Sequence, residues 1–157
     1  MPPTPIKLLI FGHSYVRDLA AVGDTIINLR YFQVSVVYKS FPGITYDYFI
    51  EQPSRLAEVL SCRPDIIIVI LGGNSILRDL TEHELNFKCR SFYKLLRELA
   101  EKSIIISAQV ELRFYRTPNR FGAPAEREFR RLRDKHNRFL NRLKLRDHTL
   151  CIAGKGR

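Results

Sequence analysis

The chain is poor in cysteine. Its three, Cys62, Cys89 and Cys151, are odd in number and far apart. That pattern speaks against a disulfide framework or a zinc site and for buried thiols in a reducing compartment. Long apolar runs are also missing: the longest, Ile66–Leu71 and Ile104–Ala108, are too short to span a bilayer. The opening Met-Pro-Pro-Thr-Pro has neither the basic region nor the apolar stretch of a secretory leader, and no Asn-x-Ser/Thr acceptor occurs. The resulting expectation is an intracellular, cytoplasmic protein with no transmembrane segment. Phosphate-cradling glycine patterns, Gly-x-x-x-x-Gly-Lys-Ser/Thr and Gly-x-Gly-x-x-Gly, are absent, which weighs against a nucleotide-binding domain. No His/Cys/Asp cluster has ligand spacing, so neither a metal nor a cofactor is expected.

What is present has a globular balance. Apolar residues make up 45% and charged residues 27% of 157 positions, which suits one domain over residues 1–157 and excludes a disordered or fibrous chain. The net charge of +10 is unevenly placed: residues 1–110 hold 12 Lys/Arg against 11 Asp/Glu, and residues 111–157 hold 14 against 5. The positive field therefore belongs to the last third, where it could attract an anionic surface or polymer.

Apolar runs alternate with helical patterns. Lys7–Phe11, ended by Gly12, reads as a strand buried on both faces. A helix follows from Ser14 to Val22, with Ser14 as its N-cap. Val34–Tyr38 is a second strand, rich in β-branched residues, and Pro42-Gly43 breaks it. A helix spans about Pro53 to Ser61, and Ile66–Leu71 is the third strand, ended by Gly72-Gly73. Thr81-Glu-His-Glu84 has capping-box spacing ahead of Leu85, Cys89, Phe92, Leu95, Leu96 and Leu99, which recur at helical intervals. Ile104–Ala108 is a fourth strand, 109–123 a loop, Pro124 to about Lys144 a helix, and Leu150–Ile152 a fifth strand. Such alternation predicts an α/β protein: a three-layer α/β/α sandwich around a five-stranded parallel sheet of flavodoxin-like order 2-1-3-4-5, with right-handed crossovers.

In that architecture a site forms beyond the carboxyl ends of the strands. Three segments fall there: Gly12-His-Ser14, Phe41-Pro-Gly43 and Gly72-Gly-Asn74. Singly, each has a plain explanation as a cap, a turn glycine after proline, or loop punctuation. Jointly, in this order, they resemble the SGNH, or GDSL-type, hydrolase family over nearly the whole chain. Its first block is an apolar strand followed by Gly-Asp-Ser, its second supplies a glycine, and its third is an apolar strand followed by Gly-x-Asn. The resemblance implies a serine-dependent acyl-ester hydrolase acting on a small ester. Ser14 would be the nucleophile, and the oxyanion hole would be the backbone N–H groups of Ser14 and Gly43 with the side-chain amide of Asn74.

Two departures matter. The family's aspartate before the serine is His13 here, read as a turn residue because neighbours at a strand-to-helix turn point apart. The family's base is a histidine in a late Asp-x-x-His block, and no Asp-x-x-His occurs in this sequence. The expectation is a truncated member that lacks the final helix and the catalytic histidine and is weakly active. Of the other histidines, His83 falls in the first turn of a helix and His148 opens the fifth strand at the end opposite the site. His136 lies within the apolar stripe of Phe129, Leu132, Phe139, Leu140 and Leu143, where a hydrogen-bonded core histidine is expected.

The same helix carries Arg127, Arg131, Lys135, Arg138 and Arg142 within one arc, and Arg113, Arg116 and Arg120 precede it. A basic arc is usually a solvated face. Its functional reading is weak binding of nucleic acid or an anionic surface, and the alternative to the enzyme is a non-catalytic SGNH-like module that uses it.

Overall fold

A computed structural model describes residues 4–76, 81–110, 122–147 and 150–152. The chain runs β1 (Ile6–Gly12), α1 (Ser14–Val22), β2 (Ile26–Asn28), β3 (Gln33–Ser40), α2 (Tyr46–Glu51), α3 (Pro53–Val59), β4 (Ile66–Ile70), α4 (Gly73–Ile76), α5 (Glu82–Leu99), β5 (Ile104–Ala108), α6 (Gly122–Asp147) and β6 (Leu150–Ile152). The strands form one sheet in the order β2-β3-β1-β4-β5-β6. Every pair is parallel except β2 with β3. The five expected strands are therefore present, in the expected order. The addition is β2, a short strand that folds back antiparallel on β3 at the edge (Ile26↔Ser35, Asn28↔Gln33).

Register explains the layering. Leu9, Ile67 and Ile105 are paired in a row across β1, β4 and β5, Phe11 and Val69 form the next row, and all five are fully buried. They pack beneath α2, α3, α5 and α6, where Phe11, Phe49 and Phe92 meet with ring centroids 5.7 to 6.3 Å apart. Each such side chain contributes about 1.5–3 kcal/mol by leaving water. The alternate residues, Leu8, Ile10, Ile66 and Ile68, face the other side and are only half-buried. The chain steps outward from β1 to β3, then back through β4, β5 and β6, so right-handed crossovers put α1 on one face and the later helices on the other. None of the described helices is long and apolar enough to cross a membrane.

Local signals act as their chemistry requires. Thr81 caps α5, its Oγ1 accepting from the Glu84 N–H at 3.2 Å. Pro53 opens α3, and Gln52 separates α3 from α2, a helix the sequence reading left unassigned. One cap differs from expectation. Ser14 is not the N-cap of α1 but its first helical residue, and His13 caps instead.

Candidate active site

β1 ends in a crowded turn. A Cβ on Gly12 would stand 1.9 Å from the Ile70 carbonyl oxygen, and Gly12 has φ +156°. Only glycine lets the chain pass this close to the end of β4, where the His13 N–H donates to the Ile70 carbonyl at 3.1 Å. His13 is buried, and its Nδ1 accepts from the Tyr15 N–H at 3.2 Å. The imidazole thus does the capping work of an aspartate at the same position. Ser14 follows, half-buried, at the start of α1. Among the described residues neither its Oγ nor its backbone N–H has a hydrogen-bond partner. That N–H is one of the donors a helix leaves unpaired at its positive end.

The second loop is a tight turn. The Ile44 N–H donates to the Phe41 carbonyl at 3.1 Å across Pro42 and Gly43, and Gly43 has φ +76°. Proline then glycine at these positions is type II turn chemistry. A Cβ on Gly43 would meet nothing within 4 Å. The glycine borders a cleft of about 760 Å³ walled by residues including Ser40, Phe41, Ile44, Tyr48 and Glu51, and by the ion pair of Lys88 with Asp47 at 2.6 Å.

The third loop docks on the second. Asn74, in α4, donates from Nδ2 to the Ile44 carbonyl at 3.0 Å, and the Tyr46 N–H donates to Ser75 Oγ at 3.3 Å. The second is tied in turn to the first: the Phe41 N–H reaches the Gly12 carbonyl at 2.8 Å, and Ser40 Oγ donates to the His13 carbonyl at 3.3 Å. Ser14, Gly43 and Asn74 therefore stand at one end of the sheet, on loops joined by hydrogen bonds. Ser14 and Asn74 do not line the large cleft, which opens on the second loop. Ser40, Tyr46 and Ser75 were not singled out in the sequence. Their partners are 27 to 90 residues away, and no local pattern marks such pairs.

The histidines separate by environment. His136 is buried and its Nε2 lies 2.9 Å from Tyr46 Oη, while its Nδ1 is buried with no partner. Burial alone pushes its pKa down to about 4, so it is neutral near pH 7. Its ring packs under the third loop, where a Cβ on Gly72 would come within 3.0 Å of Nε2. It acts as a core histidine that props the loop, not as a partner of Ser14. His83 is exposed in the first turn of α5, and His148 lies outside the described residues. Among the described residues no histidine is hydrogen-bonded to Ser14.

On α6 the basic arc is partly neutralised. Arg131 pairs with Glu128 and holds that carboxyl below its usual range, and Lys135 pairs with Glu82 at 3.0 Å. Arg127, Arg138 and Arg142 are exposed. Arg113, Arg116 and Arg120 lie outside the described residues.

Several solved structures are similar to this one. AlinE4, a SGNH-hydrolase family esterase, matches 97% of this chain and 77% of its own length at 19% identity, with a TM-score of 0.61. TesA matches 92% of this chain and 76% of its own at 20% identity, TM-score 0.55. A catalytic mutant of Axe2, an acetylxylan esterase from Geobacillus stearothermophilus, matches 97% and 78% at 18% identity, TM-score 0.62. The chain has the SGNH-hydrolase fold. No protein-family model and no curated protein sequence matches it.

Proposed function

We propose that the three linked loops form the acyl-transfer site of a serine-dependent ester hydrolase. Ser14 Oγ attacks the acyl carbon. The charge that develops on the carbonyl oxygen is met by the N–H groups of Ser14 and Gly43 and by the Asn74 amide. Such fixed donors lower the barrier by roughly 3–4 kcal/mol each, judged by the loss on removing one. The observation that carries this reading is Ser14 itself: a half-buried hydroxyl and a helix-start N–H, both without partners among the described residues, beside a loop tied to Asn74. The substrate is a small acyl ester, whose apolar part suits Phe41, Ile44 and Tyr48 in the adjoining cleft. Cys62 and Cys89 as free thiols suit a cytoplasmic site of action.

Among the described residues no base reaches Ser14. The proton leaving Ser14 Oγ needs an acceptor, and the sequence contains no Asp-x-x-His. We therefore expect the 157-residue chain to be slow, below a complete site by roughly 10²–10⁴-fold, the usual worth of general-base catalysis. The test is hydrolysis of p-nitrophenyl acetate by the chain and its Ser14→Ala variant, with mass spectrometry of the quenched protein. The expected result is slow, Ser14-dependent release of nitrophenol and a single acetyl adduct on Ser14. A chain extended by an Asp-x-x-His block should recover the missing factor. Equal rates with and without Ser14 would discard the hydrolase reading and favour a non-catalytic module.

A further inference from the structure

Among the described residues, the most exposed apolar surface lies far from the three loops, on the edge of the sheet. Between Val22 and Phe32, six large apolar side chains stand in water: Val22 is 86% exposed, Ile26 55%, Ile27 38%, Leu29 56%, Tyr31 71% and Phe32 55%. Together they offer roughly 600 Å² of apolar area, given that aromatic side chains alone carry on the order of 150–250 Å² each. A standard interface takes about 800 Å² from each partner. Edge strands are usually protected by proline, lysine or a bulge. Residues 22–34 contain neither proline nor lysine.

The backbone of β2 says what fits there. The Val36 N–H donates to the Thr25 carbonyl at 2.8 Å, and the Leu29 N–H donates to the Phe32 carbonyl at 2.7 Å. Residues 25, 27 and 29 therefore turn their polar groups toward β3. By strict alternation Ile26 and Asn28 turn theirs outward, where the sheet order shows no further strand among the described residues. We propose that this edge binds a second copy of the chain, β2 against β2 antiparallel, about a two-fold axis at Ile27.

In that register Ile26 of each copy faces Asn28 of the other. Both are outward residues, so both pairs exchange two hydrogen bonds, four in all. The same axis sets Ile27 against its own copy. It also brings Asp24 of one copy to Arg30 of the other; both residues are exposed and, among the described residues, neither has an ion pair, Arg30 resting on the Tyr31 ring. Shifting the register by two residues in either direction halves the hydrogen bonds and separates Asp24 from Arg30. One register thus satisfies backbone, apolar surface and charge together. The sheet would run unbroken through both copies, with the Ser14 loops remote from the contact.

The test is sedimentation equilibrium of the whole chain over a concentration range reaching about 100 μM, an interface of this size falling at the weak end of specific contacts. A reversible dimer is expected. Asp24→Arg and Arg30→Asp each place like charges at two symmetric points and should weaken it on the order of ten-fold, while the double exchange restores it. Ile27→Lys sets ammonium against ammonium at the axis and should leave a monomer. If that variant does not fold, the exchange at exposed Asp24 and Arg30 still decides. A wild type monomeric throughout would overturn the proposal. So would a dimer indifferent to the charge exchange, or a monomer that sediments instead with anionic phospholipid vesicles.

Discussion

Acidification should destabilise this protein through one side chain. His136 is buried, and desolvation holds its pKa at about 4, below the usual value of 6.5. The folded state therefore resists a proton that the unfolded chain takes up readily. Stability from this group is fully present above about pH 6.5 and is lost as pH falls toward about 4. At 1.36 kcal/mol per pKa unit, the loss between about pH 7 and about pH 5 is about 2 kcal/mol. That is about 4–8 °C in melting temperature for a chain of this size. Carboxylates titrate in part of the same range, so the decisive quantity is a difference. Urea unfolding followed by far-UV circular dichroism, at both pH values and equal ionic strength, should be run on the wild type and His136→Leu. The variant loses the 2.9 Å contact with Tyr46 Oη, so its absolute stability shifts. Its pH dependence should nevertheless be shallower by about 2 kcal/mol. Equal slopes in the two proteins would refute the argument, as would a His136 ring seen by NMR to be protonated at about pH 5.

Other expected outcomes follow from particular contacts. Gly12→Ala sets a methyl group 1.9 Å from the Ile70 carbonyl oxygen, a backbone atom that cannot step aside. It should lose more than about 4 kcal/mol, read as failure to accumulate soluble protein. Gly43→Ala meets open space and keeps only the φ +76° penalty, so it should fold with a loss of about 1–2 kcal/mol in urea melts. Asn137 clamps Val110 by accepting from its N–H at 2.8 Å and donating to its carbonyl at 3.1 Å. Asn137→Ala should cost about 1–3 kcal/mol by thermal melting, since both backbone groups lose their partner. Asn74→Ala should lower Ser14-dependent ester turnover by roughly 10²–10³-fold, and a smaller effect would remove its amide from the oxyanion hole.

β1, β4 and β5 were legible because each is a short apolar run rich in Ile, Val and Leu closed by a loop, and β3 because Val34, Val36 and Val37 are β-branched and Pro42-Gly43 ends it. β2 was not. Ile26–Asn28 is three residues long, and its apolar side chains stay exposed, so neither length nor alternation marks it. α2 escaped for a related reason: its six residues have buried Tyr46 and Phe49, but too few turns to display a period. At the candidate site, the strand-end glycines marked the three segments, and the resemblance to the SGNH family picked out Ser14, Gly43 and Asn74 within them. The capping exchange did not show, because a histidine used as an acceptor looks the same in sequence as one used as a base. The hydrogen bonds that tie the loops together join residues distant in the chain, and only folding brings them into range.

The position of β1 has a consequence for synthesis. This strand is central, paired with β3 on one side and β4 on the other. Its first partner is made soon afterwards, but Ile66–Ile70 leaves the ribosome roughly sixty residues later. At about 5–20 residues per second, one side of Ile6–Gly12 waits roughly 3–12 s for its strand. Throughout that interval an apolar segment with an open edge is available to any neighbouring nascent chain. Slowing translation between Ser40 and Ile66 should therefore lower the yield of soluble protein without changing the sequence.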